Sequence, residues 1–228
     1  MRYPFLFFDA DHTLFDFDAA EEASLKRAVI SLHSDGFQHS WLAAYQKANK
    51  HVWKAYEAGS LSVAEVKQKR FQDFVQLAGI AVSPADLSQR YVEELAKCTM
   101  LLPDAEKLLD ELQRRGHQML LLTNGLSEIQ RPRFRNSAIA RYFKTFVISD
   151  ELGVAKPDPK IFSVALQAFD CPDKSQVLMI GDNLRSDIVG GIGSGIATCW
   201  FNPSHAACDP EIKPDFEVTQ LLDLLELV

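Results

Sequence analysis

The 228-residue sequence has little of what a secreted or membrane-embedded protein needs. No stretch approaches the ~18 consecutive apolar residues of a transmembrane helix. The apolar run at residues 3–8 is too short for a signal peptide and is closed by Asp9 and Asp11. The four cysteines show no Cys-X-X-Cys pair or other metal-like spacing, which is typical of free thiols in a reducing compartment. We therefore expect a soluble cytoplasmic protein that does not associate with membranes.

An excess of positive charge is also missing. The chain carries 24 Lys and Arg against 31 Asp and Glu, for a formal net charge of −7. Nucleic acid polymers are bound without sequence preference by basic surfaces that displace counterions from phosphates, so this class of function is excluded. A small phosphorylated ligand is still allowed, because such sites use a few local charges and backbone N–H groups.

Short apolar runs that end in polar or glycine-containing turns dominate the first and last parts of the chain. Such runs are typical of strands that are buried on both faces of a parallel sheet. They lie at residues 3–8, 118–123, 145–149, 177–180 and 197–201. Helical segments lie between or after them, at residues 104–115, 158–169 and 221–227. This alternation predicts a doubly wound, mostly parallel α/β sheet.

Residues 18–99 have a different, wholly helical character. Helices are predicted at residues 19–33 and 40–59, and helix starts at Ser62 and Ser83. The sequence therefore predicts an α/β core from residues 1–15 and 100–228, interrupted by a helical-bundle cap at about 16–99. An insertion at the carboxyl edge of a sheet makes this cap a candidate lid. Four cap aromatics could stack on a nucleobase, but their helical spacing favours a place in the bundle core: Trp41, Tyr45, Trp53 and Tyr56.

Polar residues that could bind a ligand or take part in catalysis follow the predicted strands. Asp9 and Asp11 follow the first strand; one carboxylate can attack phosphorus while a second acid protonates the leaving oxygen. Thr123 and Asn124 follow the next strand, where a hydroxyl and backbone N–H groups suit phosphoryl oxygens. Each pattern alone is also compatible with an ordinary loop, a helix cap or an Asn-Gly turn.

Further along the chain, Lys156 precedes a proline-capped helix start, where its ammonium group can balance phosphate charge. Asp182 and Asp187 follow another strand and suit Mg²⁺, although Asp187 could equally cap the next helix. The order of these groups along the chain is more specific than any one of them. A basic cluster at Arg131, Arg133 and Arg135 is interpreted as a solvated helix face.

In this order the motifs resemble those of the haloacid dehalogenase superfamily. The matching residues are Asp9, Asp11 and Thr13, then Thr123, then Lys156, and finally Asp182 and Asp187. The resemblance covers the whole chain, including a helical cap between the first two motifs. The local sequence is most similar to bacterial pyrimidine 5′-nucleotidases in the segments 7–11, 147–149, 153–157 and 197–200.

The resemblance implies that Asp9 is the nucleophile and Asp11 the general acid and base. It also implies that Mg²⁺, with Mn²⁺ as an alternative, is held by Asp9, Asp182 and the backbone carbonyl of Asp11. The dehalogenase branch does not place an acid at the position of Asp11, so phosphoester hydrolysis is favoured. His12 is less typical of the superfamily, and we expect it to be peripheral.

The same resemblance assigns phosphoryl binding to Thr123 and Lys156. Asn124 is expected to reach the phosphate or to order its loop. Asp187 would support the metal through water or through Lys156, and Thr13 would support the site.

The sequence therefore predicts a Mg²⁺-dependent phosphomonoester hydrolase that prefers pyrimidine nucleoside 5′-monophosphates and forms an aspartyl-phosphate intermediate. Its ligand would be a small phosphorylated molecule, and the chain would be a monomer or homodimer. The alternatives on the same scaffold are a phosphatase for phosphoglycolate or sugar phosphates and a phosphomutase. A non-catalytic protein that binds Mg²⁺ and phosphoryl groups is an alternative of a different class. A phosphate-receiving signalling domain is disfavoured, because it needs only about half this length.

Overall fold

A computed structural model describes residues 2–228 as two compact units. The first unit comprises Met1–Phe17, Thr99–Ser127 and Phe134–Val228, and the second comprises Asp18–Cys98 and Glu128–Arg133. The short return of residues 128–133 to the second unit has no counterpart in the boundaries expected from the sequence. Within residues 2–228, none of the helices combines the length and apolar character that a membrane crossing requires.

A six-stranded parallel sheet forms the centre of the first unit. Its strands are β1 (Phe5–Phe8), β2 (Gln118–Thr123), β3 (Phe143–Ile148), β4 (Val177–Gly181), β5 (Ala197–Phe201) and β6 (Phe216–Val218). The strand order is β3-β2-β1-β4-β5-β6, so β1 lies between β2 and β4. The predicted doubly wound α/β class is therefore confirmed. Strand β6 was not predicted, because it has only three residues and no apolar run.

Four helices make up most of the second unit. They are α1 (Phe17–Leu32), α2 (Ser40–Glu57), α3 (Val63–Ala78) and α4 (Pro84–Leu95). Helix α3 begins with the predicted capping box: the Ser62 N–H donates to Glu65 Oε2 at 2.8 Å, and the Glu65 N–H donates to Ser62 Oγ at 3.4 Å. Helix α4 begins at a proline after Ser83, whose Oγ accepts from the Asp86 N–H at 3.3 Å.

The cap aromatics divide into two pairs. Trp41 and Tyr45 are buried, and the Tyr45 ring packs at 5.2 to 5.6 Å from the rings of its aromatic neighbours Phe71, Phe74 and Tyr91. Trp53 and Tyr56 are only partly buried and meet edge to face at 5.5 Å. The bundle-core interpretation is therefore confirmed for the first pair alone.

The α-helices of the first unit are α5 (Ala105–Arg114), α7 (Ser149–Leu152), α8 (Pro159–Gln167) and α9 (Val189–Ser194). Helix α6 (Ser127–Asn136) is divided, because residues 128–133 belong to the second unit. Residues that alternate along β1 enter different cores: Leu6 and Phe8 pack with α5 residues, and Phe7 packs with α8 residues. The predicted closing helix at 221–227 is a 3₁₀ helix at Leu221–Glu226. Both faces of the sheet are thus buried, as the unalternating apolar runs indicate.

One interpretation of the sequence is wrong. Arg133 does not lie on a solvated helix face but is fully buried. Its guanidinium donates to the Cys98 carbonyl at 3.0 Å and to Gln130 Oε1 at 3.2 Å. A buried arginine is tolerated when its N–H groups have acceptors, and the sequence pattern cannot show whether those acceptors are present.

Two glycines of α9 have opposite surroundings. A Cβ added at Gly190 would lie 2.5 Å from the buried ring of Phe162, whereas a Cβ at Gly193 would meet nothing within 4 Å. Gly190 therefore permits the close approach of α8 and α9, and Gly193 only adds conformational freedom to the unfolded chain.

We expect Gly190→Ala to lower the free energy of unfolding by about 1–3 kcal/mol, because the added methyl group must displace a buried ring. Gly193→Ala in the same helix should leave it unchanged or raise it by up to about 1 kcal/mol. Urea unfolding of both variants measures these changes. Equal destabilisation by the two substitutions would contradict this account of the packing.

Candidate active site

The candidate site residues lie where three neighbouring strands end. Asp9 directly follows β1, Thr123 is the last residue of β2, and Asp182 directly follows β4. The strands are parallel and adjacent in the order β2-β1-β4, so their carboxyl ends share one edge of the sheet. The Asp9 N–H donates to the Ile180 carbonyl at 2.8 Å and so extends the strand pairing by one residue, to Asp9.

Three carboxylates meet at this edge. Oxygens of Asp9, Asp182 and Asp187 lie within 4.8 Å of one another, and Asp9 and Asp187 are buried. Asp187 is delivered by a single π-helical turn at Leu184–Ile188. Its carboxylate lies against the backbone of Gly181, where an added Cβ would overlap it. Only glycine at position 181 leaves room for this arrangement.

Lys156 joins two of these carboxylates. Its side chain is 1% exposed, and Nζ donates to Asp9 Oδ1 at 2.5 Å, to Asp187 Oδ1 at 2.7 Å and to the Leu122 carbonyl at 2.7 Å. An ammonium group has three N–H bonds, so each one has an acceptor in the protein. The expected direct bond from Lys156 to a phosphoryl oxygen therefore requires one of these acceptors to be replaced.

Thr13 connects the loop after β1 to the loop after β4. Its Oγ accepts from the Asp182 N–H at 3.1 Å, and it lies 3.4 Å from Asp182 Oδ1 and 3.5 Å from Asp9 Oδ2. A hydroxyl has one proton to donate, so it serves one of these two carboxylates at a time. Thr13 is fully buried, and its hydroxyl contacts both acidic segments; its supporting role in the reaction stays a prediction.

Asn124 is committed to the backbone of Lys156. Its Nδ2 donates to the Lys156 carbonyl at 2.9 Å, and its Oδ1 accepts from the Lys156 N–H at 2.8 Å. These two bonds join the loop after β2 to the Lys156 backbone, which is the contact expected of a residue that orders its loop; the second N–H of the Asn124 amide can still donate, so both expected roles stay predictions. Next to it, Thr123 is buried, and its Oγ accepts from the Gly125 N–H at 3.2 Å.

Asp11 and His12 are not members of the three-carboxylate group among residues 2–228. Asp11 is partly buried and pairs with Phe15 in an isolated β-bridge. His12 is exposed, has a φ of 62° and meets the ring of Phe17 edge-on at 5.3 Å. The roles given to Asp11 stay predictions.

The site has an excess of buried negative charge. Burial, together with Asp187 and Asp182, raises the pKa of Asp9 well above its ordinary value despite the opposing effect of Lys156. Burial and then Asp187 raise the pKa of Asp182 to about 7. Burial alone would lower the pKa of Lys156, but Asp187 and Asp9 outweigh it and the net shift is upward.

These residues fit a divalent cation. When the three carboxylates are ionised, Lys156 compensates one of them and two negative charges are left over. Oxygen ligands at this spacing are those that Mg²⁺ prefers, usually as one or two carboxylates together with water and phosphate oxygens. Both oxygens of Asp187 already have partners in the protein: Oδ1 binds Lys156, and Oδ2 accepts from the Asn183 N–H at 3.0 Å. Asp9 and Asp182 are therefore the better candidates for direct ligands.

Comparison with known proteins agrees with this arrangement. A model of the haloacid dehalogenase-like hydrolases matches residues 4–195. The chain belongs to this hydrolase family. The predicted resemblance and the predicted hydrolase class are therefore confirmed.

Individual relatives of this hydrolase match over nearly their whole length. The pyrimidine 5′-nucleotidase YjjG of Escherichia coli is 37% identical, over 100% of this chain and 99% of the relative. The pyrimidine 5′-nucleotidase PynA of Streptococcus pneumoniae is 36% identical, over 99% and 95%. The magnesium-bound structure of the HAD-hydrolase YfnB of Bacillus subtilis is 32% identical, with a TM-score of 0.92 over 100% and 99%.

The raised pKa of Asp182 predicts a pH dependence of stability in the metal-free protein. In the unfolded chain this carboxyl loses its proton near 3.8, whereas in the folded chain it keeps the proton until about pH 7. Between these values the folded state binds more protons, so the free energy of unfolding falls as pH rises toward about 7. Urea unfolding at several pH values, with a chelator present, measures this slope.

The Asp182→Asn variant is the control for this experiment, because it cannot gain or lose that proton. Its free energy of unfolding should fall less steeply over the same pH range than that of the unsubstituted protein. Identical slopes would show that Asp182 titrates normally in the folded state.

Proposed function

We propose that this hydrolase is a Mg²⁺-dependent phosphomonoesterase for nucleoside 5′-monophosphates, with pyrimidine nucleotides preferred. The observation that carries the proposal is a buried Asp9 carboxylate held by Lys156 beside two further carboxylates. We assign catalysis to the first unit and regard the helical unit as an inserted cap. The substrate would be a small cytoplasmic molecule, and the enzyme a monomer or homodimer.

Asp9 is suited to nucleophilic attack on phosphorus. Its Oδ1 is fixed by the Lys156 ammonium at 2.5 Å, and Thr13 lies 3.5 Å from its Oδ2. Attack by one carboxylate oxygen forms a new P–O bond while the P–O bond to the nucleoside breaks, which gives an aspartyl-phosphate. The Lys156 charge compensates the negative charge gathered around the transferring group.

Asp11 would move the protons in both halves of the reaction. As an acid it would donate a proton to the departing 5′ oxygen. As a base it would then accept a proton from the water that attacks the phosphorus of the aspartyl-phosphate. That second step releases inorganic phosphate and restores Asp9 and Asp11 to their starting forms.

The carboxylates of Asp9 and Asp182 and the backbone carbonyl of Asp11 would hold the metal ion. When bound, Mg²⁺ or Mn²⁺ supplies positive charge that offsets the carboxylates and polarises the phosphoryl oxygens. Thr123, at the end of β2, supplies a hydroxyl for the phosphoryl group. Asp187 accepts a second N–H of Lys156 at 2.7 Å and so helps to keep the ammonium group in place.

The preference for pyrimidine nucleotides rests on the two relatives whose names state that activity, each 36–37% identical over nearly the whole chain. Fold alone does not determine the substrate of a hydrolase. Phosphoglycolate and sugar phosphates are therefore the alternatives that the experiment has to separate.

A substrate panel tests the proposed specificity. Phosphate release with Mg²⁺ present should be fastest, in kcat/KM, for pyrimidine nucleoside monophosphates. The panel also contains purine nucleotides, phosphoglycolate, hexose phosphates and an aryl phosphate. A clear preference for phosphoglycolate or a hexose phosphate would replace the nucleotidase assignment but keep the chemistry. No turnover of any phosphoester would overturn the proposed function and favour a binding protein.

The Asp9→Asn variant tests the nucleophile. An amide cannot form the aspartyl-phosphate, so kcat should fall by about a thousandfold or more. Asp209→Asn, the same change at a surface residue that pairs with Arg185, should keep full activity. Acid-quenched turnover samples should carry phosphate on the peptide that contains Asp9, as detected by mass spectrometry. Full activity in the Asp9 variant would contradict the mechanism.

A further inference from the structure

Trp200 makes a polar contact that none of the sequence motifs predicts. It lies on β5, is 3% exposed, and its indole Nε1–H donates to the Asp182 carbonyl at 2.8 Å. A buried tryptophan requires an acceptor for its single N–H, and here the acceptor is the backbone of a candidate metal ligand.

The contact lies just beyond the last pairing of the neighbouring strand. The register of β4 with β5 ends at Gly181 opposite Trp200, so Asp182, which directly follows β4, has no ladder partner in β5. The indole N–H supplies a partner to the Asp182 carbonyl at this point. The Trp200 side chain thus restrains the backbone one residue beyond the end of the β4–β5 pairing.

The backbone N–H of Asp182 is restrained as well as its carbonyl. Its N–H donates to Thr13 Oγ at 3.1 Å, while its C=O accepts from Trp200 at 2.8 Å. Two bonds on opposite sides of one residue fix its backbone and therefore the direction in which its carboxylate leaves the chain. Groups that orient metal ligands in this way contribute to affinity without touching the metal.

We propose that Trp200 is a positioning residue that holds the Asp182 carboxylate in the geometry for binding a divalent cation. The inference rests on the proposed function, because it takes Asp182 as a metal ligand. Without the indole N–H, the Asp182 carbonyl can turn toward water. Binding of the cation must then restore the orientation of the Asp182 carboxylate, and this lowers the affinity for the cation.

The Trp200→Phe variant removes the N–H and keeps a buried aromatic ring. Calorimetric titration of the chelator-treated protein with Mg²⁺ should give a Kd raised by about tenfold relative to the unsubstituted protein. Trp41→Phe is the matched control, because Trp41 is buried in the helical unit among His33 and Phe37 and should leave the Kd unchanged. An unchanged Kd in the Trp200 variant would overturn the proposal.

The same titration separates this inference from the proposed function. If the unsubstituted protein binds Mg²⁺ and the Trp200 variant binds it equally well, only the role of Trp200 is overturned. If the unsubstituted protein does not bind Mg²⁺ at all, the proposed metal site and the role of Trp200 are both overturned. Phosphate release from the substrate panel is measured independently of either result.

A measurement on the unsubstituted protein covers the case in which the variant does not fold. The chain has three tryptophans, so its indole N–H groups give three NMR signals that Trp41→Phe and Trp53→Phe assign by elimination. The Trp200 signal should shift when Mg²⁺ is added, because its acceptor belongs to a ligand residue, and it should exchange slowly with solvent. A Trp200 signal that does not respond to Mg²⁺ would overturn the proposal.

Discussion

A buried ammonium group surrounded by carboxylates is the constraint on which the rest of the first unit depends. Lys156 is 1% exposed, and its charge is tolerated in the interior because Asp9, Asp187 and the Leu122 carbonyl accept all of its N–H groups. These acceptors lie in or directly after separate strands and turns. The lysine therefore has all three acceptors only when those strands are assembled side by side. The remaining negative charge then favours a cation with two positive charges.

Side chains, rather than strand pairing, hold the loops at this edge together. Asn124 binds both polar groups of the Lys156 backbone, and Thr13 and Trp200 bind opposite sides of the Asp182 backbone. Each of these bonds joins segments that are far apart in the chain. The positions of the charged groups are therefore set by backbone restraint as well as by their mutual attraction, which is the usual requirement for a preorganised site.

Much of the fold follows from local patterns. The unalternating apolar runs identify β1, β2, β3, β4 and β5 within two residues, since a strand buried on both faces has few polar positions. The capping box identifies the start of α3, because the Ser62 and Glu65 side chains satisfy backbone groups of their own turn. The sequence does not predict strand β6, because its three residues are held by pairing with β5, a long-range contact that leaves no periodicity in the sequence.

The sequence by itself determined the fold class, the hydrolase family and the chemical type of each motif residue, because residue types and their order at strand ends are local properties. The tertiary structure decided which groups meet. It brought Asp187 against Gly181 and Lys156, turned Asn124 toward the Lys156 backbone, buried Arg133 and placed the Trp200 indole on Asp182. Apart from the contact at Gly181, these contacts join segments that are 18 or more residues apart, and no local pattern records where a distant hydrogen-bond partner will lie.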